Sequence, residues 1–418
     1  MTPFTGWQYL LIDVANQFGH DKLLFEERIQ WATDHLHELE ALTDQAEKKT
    51  RPLYIKAVQA IRKAQHGEPS GHLVGFDGVC SGVQIMSAIT GCYEGAKATG
   101  LVDTGTRPDA YTLTTNVMNE ILAAEGLSVT VSRSDAKASL MTSFYGSRKT
   151  PKDIFGEDTP ELNAFYQAAH KVAPGAWELL QDLLASWQPW ALEHSWVLPD
   201  GFQARVKVME KMEARIEVDE LDHATFTYEF YENFGSKSGL ANAANVVHSI
   251  DALVLREMHR RCNYDSEAIH PVRILIVEEQ DRRRHEECEE ETMLHGSKID
   301  YYVGHWARSG FASSAILPHI DPLSIRMVPS DLLDDLSILI ETMVIHNPFP
   351  IITVHDEFKA HPNNINHMRQ HYINILAELA DSVIVSDILS QIHGTPGTFN
   401  KLSDDLSKHI RNSNYALS

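Results

Sequence analysis

The sequence predicts an α+β fold in which helices outnumber strands. Apolar residues recur at helical spacing along much of the 418-residue chain. Two short apolar runs, residues 73–76 and 349–354, instead have the length and composition of buried strands. Each run is followed closely by an aspartate, Asp77 or Asp356. If both strands belong to one sheet, the two carboxylates meet at its rim.

The first hundred residues predict a pair of helices followed by the first strand. Helical spacing runs through residues 7–18 and 25–42, and Gly19 separates them as a stop signal. After the strand, Gly78 and Gly82 permit a tight turn into another helix. Asp77 is therefore expected at a strand end.

The middle of the chain alternates helical and aromatic segments. Residues 112–124 and 134–144 predict helices, and 163–187 predicts a long helix that a proline interrupts. Residues 195–202 contain a Pro-Asp-Gly turn between apolar runs, which indicates a hairpin. Residues 224–234 alternate aromatic and polar side chains and predict either a second hairpin or an exposed arm.

The composition of the sequence changes after the predicted helix at residues 246–258. Residues 263–330 carry closely mixed charges, as in 278–284 and 286–291, and predict a largely surface-exposed inserted module. A solvated surface segment explains these residues more simply than a contact surface for another protein does.

Composition places the chain among globular proteins of two or three lobes. It is 43% hydrophobic, contains no run of roughly 18 apolar residues and does not begin like a signal peptide. Its four cysteines show no paired spacing, which argues against a zinc ribbon or a disulfide framework. We therefore expect a cytoplasmic protein without a membrane partner, in a host cell if it is viral.

The net charge of −22 is unfavourable for a nucleic-acid binder. Neutralisation of phosphates by Lys and Arg normally supplies much of such a protein's affinity. If the chain holds DNA, its basic residues must be concentrated locally, or a basic partner subunit must supply the charge.

Asp77 and Asp356 are the candidate metal ligands. Two carboxylates at one sheet rim can share two Mg²⁺ ions, one activating a 3′ hydroxyl and the other stabilising a leaving pyrophosphate. For either aspartate alone, an ordinary turn residue remains an adequate explanation.

A basic helix lies between the two aspartates in the sequence. Arg133, Lys137, Met141 and Tyr145 are spaced four apart and drift by roughly 40° per step around a helix. The stripe offers a guanidinium and an ammonium to triphosphate oxygens and ends in a ring that can stack. Alone, it is equally compatible with a solvated helix face.

Together, these segments resemble motifs A, B and C of the single-subunit phage and mitochondrial DNA-directed RNA polymerases, in the same order. The matching segments are residues 76–84, 133–147 and 354–356, with further similarity at 19–29, 196–202, 245–249 and 414–416. The resemblance covers most of the chain outside 263–330. It implies a right-hand polymerase fold, with a palm at 1–105 and 249–418 and fingers at 106–248. Residues 224–238 then take the place of the specificity loop, which implies promoter reading in the major groove.

The resemblance also implies a role for each site residue. Asp77 and Asp356 hold Mg²⁺ with help from the Gly78 carbonyl, and Lys137 donates a proton or stabilises charge at the pyrophosphate. The implied substrate-binding residues contact the triphosphate, the ribose, the nascent base pair or the primer end: Lys22, Arg133, Tyr145, Gly146, His248 and His355. The implied partners are a DNA template, nascent RNA and ribonucleoside triphosphates.

A physical argument favours ribonucleotides over deoxyribonucleotides as the substrates. Related DNA polymerases place a bulky Glu in motif A that blocks a 2′ hydroxyl, whereas residues 78–82 here are small. Tyr145 has a phenol able to sense the 2′ oxygen, so ribonucleotides are favoured. Glu357, directly after Asp356, departs from this pattern because it is more typical of DNA polymerases.

The N-terminal domain, the thumb and the Asp-x-x-Gly-Arg motif of the family have no counterpart in this sequence. The chain thus resembles the larger, catalytic subunit of the split two-subunit polymerases of N-four-like phages, which implies a second polymerase subunit and leaves room for a DNA-binding accessory factor. Two alternatives stay open: a DNA polymerase or primase of the same fold, and a non-catalytic scaffold.

Overall fold

The computed structural model describes residues 1–235, 239–285 and 295–418. The end of the predicted specificity-loop-like segment, 236–238, lies outside the described residues. So do residues 286–294 of the predicted insertion, including Cys288.

Helices dominate the described chain. Their bounds are α1 Gly6–Ala15, α2 Phe25–Asp34, α3 Arg51–Gln65, α4 Ser81–Thr90, α5 Tyr93–Ala98, α6 Ala110–Ala124, α7 Arg133–Ser143, α8 Lys149–Phe155, α9 Pro160–Val172, α10 Pro174–Ala185, α11 Ala241–Cys262, α12 Ser266–His285, α13 Lys298–Ser309, α14 Ser330–Val344, α15 Ile365–Asp381, α16 Ile384–His393 and α17 Leu406–Ile410.

The strands are short except in one hairpin. They are β1 Val74–Asp77, β2 Glu193–Val197, β3 Gln203–Lys207, β4 Met209–Val218, β5 Ala224–Gly235, β6 Ile352–Val354 and β7 Glu357–Ala360. β1, β7 and β6 form one antiparallel sheet in that order, and β2–β3 and β4–β5 form two-stranded hairpins. The α+β prediction is confirmed, with a mostly helical chain.

Local sequence explains the helix boundaries. Thr5 and Gln8 form a capping box at the start of α1, and Ser132 accepts a hydrogen bond from the Asp135 backbone at the start of α7. The interrupted helix predicted at 163–187 is two helices, α9 and α10, because Pro174 opens the second.

One hydrophobic core joins the central sheet to the helices around it. It includes Phe76 of β1, Phe358 of β7, Ile85 of α4 and Leu376 of α15, all almost fully buried. The same core continues into α7, α9 and α10, which belong to the predicted fingers. The sheet rim is thus fixed against a packed helical layer.

A second core lies within and beyond the predicted insertion. It runs from Tyr264 to Met343 and is built by α12, α13 and α14 with the short turns between them. The predicted boundary at residue 330 falls at the start of α14, so the second core extends past it.

Buried charges join this second unit to α11. The Glu257 carboxylate accepts hydrogen bonds from Ser313 Oγ at 2.6 Å and Ser314 Oγ at 2.8 Å. On its other side, Arg261 Nε lies 3.0 Å away. No helix in the three described ranges is long and apolar enough to cross a membrane.

Candidate active site

The central sheet brings Asp77 and Asp356 together. Asp77 ends β1, and Asp356 lies in the two-residue turn between β6 and β7. The strand next to β1 is β7, so Glu357 is the residue directly opposite Asp77. The Gly78 backbone N–H donates to the Asp356 carbonyl at 3.0 Å, which fixes the two segments against each other.

A close approach beneath the rim accounts for the glycine at position 78. A Cβ there would lie 3.1 Å from Tyr372 Oη and 3.6 Å from Asp356 Cβ. The Tyr372 hydroxyl donates to Gln84 Oε1 at 2.5 Å, and Gln84 Nε2 donates to the carbonyls of Thr99 and Ala416. This buried, hydrogen-bonded plug supports the rim from inside the core.

The carboxylates at the rim repel one another. Burial, Glu357 and Asp356 raise the pKa of Asp77 to about 6, against smaller opposing effects of Lys359 and Lys22. Burial and Asp356 likewise raise the pKa of Asp251 to about 6. The site therefore holds more negative charge than its own cations compensate, and a divalent cation would relieve this excess.

Asp251 was not predicted from the sequence. It lies on α11 three residues after His248, and both side chains line the same cavity. This i, i+3 spacing puts the two residues on one helix face and is the signal that could have found Asp251.

Helix α7 contributes the basic side of the site. Arg133 Nη2 lies 2.7 Å from Asp109 Oδ2, so the guanidinium is held by an ion pair across to the start of α6. The Arg133 guanidinium and the Lys137 ammonium both lie over the Tyr111 ring, 5.6 and 5.3 Å from its centroid. Tyr111 and Asp109 are cavity-lining residues that the sequence analysis missed.

Tyr145 lies just past the end of α7 and packs in a stack. Its ring is parallel to the His248 imidazole, with centroids 4.6 Å apart and 5° between the planes. Gly82 makes room for the hydroxyl, since a Cβ at that position would lie 2.6 Å from Tyr145 Oη. Burial and Asp251 raise the pKa of Tyr145 to about 12, so its hydroxyl stays protonated at neutral pH.

One cavity of about 460 Å³ gathers nearly all the predicted site residues. Arg107 adds a further cation that the sequence analysis did not single out. The predicted residues that line the cavity are Lys22, Asp77, Gly78, Arg133, Lys137, Tyr145, His248, His355 and Asp356.

Two residues discussed in the sequence analysis do not line this cavity. Gly146 takes φ +92°, and a Cβ there would face Leu184, Leu240 and Ala243. Glu357 pairs with Lys359 Nζ at 2.8 Å and lies over Gly75. The residue that departed from the RNA polymerase pattern therefore lies beside Asp77 on the sheet but is not one of the residues that line the cavity.

Within the described ranges, one group of three His, Cys, Asp or Glu side chains is close enough to share an ion: Glu217, Asp219 and His223. This group is exposed at the tip of the β4–β5 hairpin, far along the chain from either aspartate. Asp77 and Asp356 instead provide a pair of carboxylates on a shaped cavity wall.

The family model and the two relatives that match this chain are all described as RNA polymerases. The family model described as DNA-dependent RNA polymerase matches residues 3–154. The DNA-directed RNA polymerase of Pseudomonas phage phiKMV is 25% identical over 304 residues, covering 59% of this chain and 37% of that protein. T7 RNA polymerase of Escherichia phage T7 is 29% identical over 135 residues, covering 30% of this chain and 15% of its own. These matches thus span well under half of each relative.

Proposed function

We propose that this chain, a relative of the single-subunit phage-type DNA-dependent RNA polymerases, catalyses DNA-directed ribonucleotidyl transfer. One observation carries the proposal. Two aspartates 279 positions apart in the numbering, Asp77 and Asp356, share a cavity with three cations from two segments, Lys22 before α2 and Arg133 and Lys137 on α7. This set matches the needs of a nucleoside triphosphate with its metal ions.

The donor set fits two Mg²⁺ ions. Carboxylate oxygens from Asp77 and Asp356 and the Gly78 carbonyl are the hard ligands that Mg²⁺ prefers. Burial and the neighbouring carboxylates raise the pKa of Asp77 to about 6, so a bound divalent cation would stabilise its ionised form. When bound, the ions would supply Lewis-acid stabilisation of the charge on the attacking and leaving oxygens.

The triphosphate side of the site is built from Lys22, Arg133 and Lys137. Arg133 is held by Asp109, which orients its guanidinium along the cavity wall. Lys22 is paired with Asp21 at 2.6 Å and is more than half exposed, so it can turn toward a phosphate at little cost. Lys137 would hold or deliver a proton at the pyrophosphate oxygen.

The sugar and base side is formed by Gly82, Tyr145 and His248. The absence of a side chain at Gly82 leaves the Tyr145 hydroxyl against helix α4, with His248 stacked on the ring. A hydroxyl fixed in this way can hydrogen-bond a ribose 2′ oxygen. His355, in the left-handed conformation at φ +56°, would lie at the primer end.

Under this proposal, residues 1–105 and 249–418 form the palm and 106–248 the fingers. The partners would be a DNA template, nascent RNA and ribonucleoside triphosphates. A second, basic polymerase polypeptide would help to hold the template, since a net charge of −22 opposes DNA binding by this chain alone.

The test is incorporation of labelled nucleotides on a primed single-stranded template with Mg²⁺. We expect ribonucleotide extension by the chain, alone or supplemented with its partner polypeptide, and no extension by Asp356→Ala. Asp44→Ala, which removes an exposed surface carboxylate, is the matched control and should retain activity.

Two outcomes would contradict the proposal. Preferred incorporation of deoxyribonucleotides would indicate a DNA polymerase of the same fold. Equal extension by the wild type and Asp356→Ala would remove the metal site from the mechanism.

A further inference from the structure

The β4–β5 hairpin has two chemically different faces. From Lys211 to Val218, β4 pairs with β5 in continuous antiparallel register, so alternate residues and their cross-strand partners share a face. One face is apolar throughout. Its members are the cross-strand pairs Met212 with Phe230, Ala214 with Tyr228, Ile216 with Phe226 and Val218 with Ala224.

No part of the chain within residues 1–235, 239–285 and 295–418 buries this apolar face. Ile216, Phe226 and Tyr228 are each about half exposed, at 51%, 50% and 48%. None of the eight side chains belongs to either hydrophobic core. The Tyr228 and Phe230 rings stack on each other, 5.5 Å between centroids, and so present a preformed aromatic surface. A contiguous exposed apolar patch of this kind marks an interaction surface.

The opposite face and the tip carry charge, and most of it is negative. Residues 209–232 contain eight acidic and two basic side chains, a net charge of −6. Both basic residues are engaged within the hairpin: Lys211 pairs with Glu229 at 2.5 Å, and Arg215 donates to Thr225 Oγ1 at 2.7 Å. The apolar face is therefore bordered by uncompensated carboxylates.

The negative charge of the hairpin indicates which kind of molecule can bind its apolar face. DNA and anionic lipid surfaces both require positive charge, and the three aromatic rings of this face do not offset a net charge of −6. A second copy of the same hairpin would bring two acidic rims together. A protein surface with complementary charge faces none of these penalties.

We propose that the apolar face of the β4–β5 hairpin docks a protein partner that presents an apolar patch rimmed by Lys and Arg. Phe226 and Tyr228 are the anchors, since large, rigid aromatic side chains dominate such interfaces. Glu217 and Glu220 near the tip attract the basic rim. This docking surface does not depend on the proposed polymerase activity. It competes with the expectation from the sequence that the segment reads promoter bases.

The experiment measures binding of fluorescent probes to the full chain by anisotropy. The probes are an 18-residue amphipathic helical peptide of Leu and Lys, a Leu and Glu counterpart, and a 30-base-pair duplex DNA. The test variant Phe226→Ser/Tyr228→Ser leaves every charge unchanged, so non-specific attraction to the acidic chain is the same in all samples. The control Thr225→Ser/Thr227→Ser alters the polar face of the same strand.

We expect the Lys peptide to bind the wild type and the control equally and the test variant at least ten-fold more weakly. Glu217→Gln/Glu220→Gln should weaken binding several-fold and flatten its salt dependence. The Leu and Glu peptide should not bind. Because the altered side chains are exposed, thermal unfolding of all variants should match the wild type.

Three results would overturn the proposal. One is equal binding of the Lys peptide to the test and control variants. Another is loss of duplex DNA binding in the test variant, which would favour promoter reading. The third is concentration-dependent dimerisation in sedimentation that Phe226→Ser/Tyr228→Ser abolishes, which would identify a second copy of the chain as the occupant.

Discussion

Replacing Gly82 with alanine tests how the Tyr145 ring is positioned. The new Cβ would lie 2.6 Å from Tyr145 Oη and 3.0 Å from its Cζ, whereas ordinary contacts begin near 3.4 Å. The hydroxyl must therefore retreat by about 0.8 Å, which tilts the ring away from the His248 imidazole now 4.6 Å from it. Loss of an aromatic stack costs about 0.5–1.5 kcal/mol.

At 1.36 kcal/mol per factor of ten, this cost corresponds to roughly a 2- to 13-fold fall in kcat/KM for ribonucleotides. We also expect the preference for ribonucleotides over deoxyribonucleotides to narrow, since the displaced hydroxyl no longer meets the 2′ oxygen. Steady-state single-nucleotide incorporation with ATP and dATP measures both quantities.

Gly304→Ala is the matched control for this substitution. Gly304 lies inside α13, where the nearest atom to a new Cβ is the mobile end of Arg308 at 3.9 Å. Both substitutions gain helix propensity of about 1 kcal/mol, so neither should lower stability through the backbone. Adding Tyr145→Phe to Gly82→Ala removes the closest atom and should recover part of the stack. Wild-type kcat/KM and sugar preference in Gly82→Ala would refute the reasoning.

Three further predictions concern stability. Without metal, Asp77→Asn should raise the free energy of unfolding at pH 7.5 by about 1 kcal/mol after solvent screening, because the folded-state pKa of Asp77, about 6, exceeds the reference value of 3.8. In thermal scans this gain in stability should shrink as the pH falls from 6 to 4. A gain that grew over that pH range would contradict the predicted sign. Glu257→Ala should lower the free energy of unfolding, measured in urea, by about 3 kcal/mol, because the buried Arg261 and two serine hydroxyls lose their acceptor. Arg261 retains its ion pair with Glu378. A loss of less than about 1 kcal/mol would show that stability does not depend on this network. Ser249→Ala should cost about 1–2 kcal/mol by leaving the buried Trp196 Nε1–H without its acceptor at 3.0 Å, and Ser249→Thr, which keeps the hydroxyl, should cost less.

Most of the candidate site could be predicted from the sequence, because its residues lie in short segments with recognisable local patterns. Asp77 is marked by an apolar strand and two glycines, and the stripe from Arg133 to Tyr145 by helical spacing. Local sequence patterns do not determine which of these segments pair in the folded protein. The strand that contacts β1 is β7, not the predicted run before Asp356, and nothing in four residues beginning with Glu357 specifies that neighbour.

Other features were missed for different reasons. Asp251 becomes significant only when α11 is packed against the sheet rim, since one acidic residue on a long helix is common. The partner of β5 was detectable, because Met212, Ala214, Ile216 and Val218 alternate with charged residues. The second core was hidden because the apolar residues of α12, which end at 274–277, lead directly into the charged residues 278–284.

The second core also has a consequence for the connectivity of the chain. The Phe349 backbone N–H donates to the Cys262 carbonyl at 2.9 Å, so the segment between them leaves and re-enters the protein at one point. A unit with adjacent ends and a core of its own is what domain insertion produces, and it can in principle be excised and its ends joined by a short turn. Such an excision would expose the Glu257 carboxylate to water, where it no longer needs the serine hydroxyls. The central sheet and this unit can therefore diverge in sequence at different rates, except where Ser313, Ser314 and Arg308 of the unit bind Glu257 and Asp387.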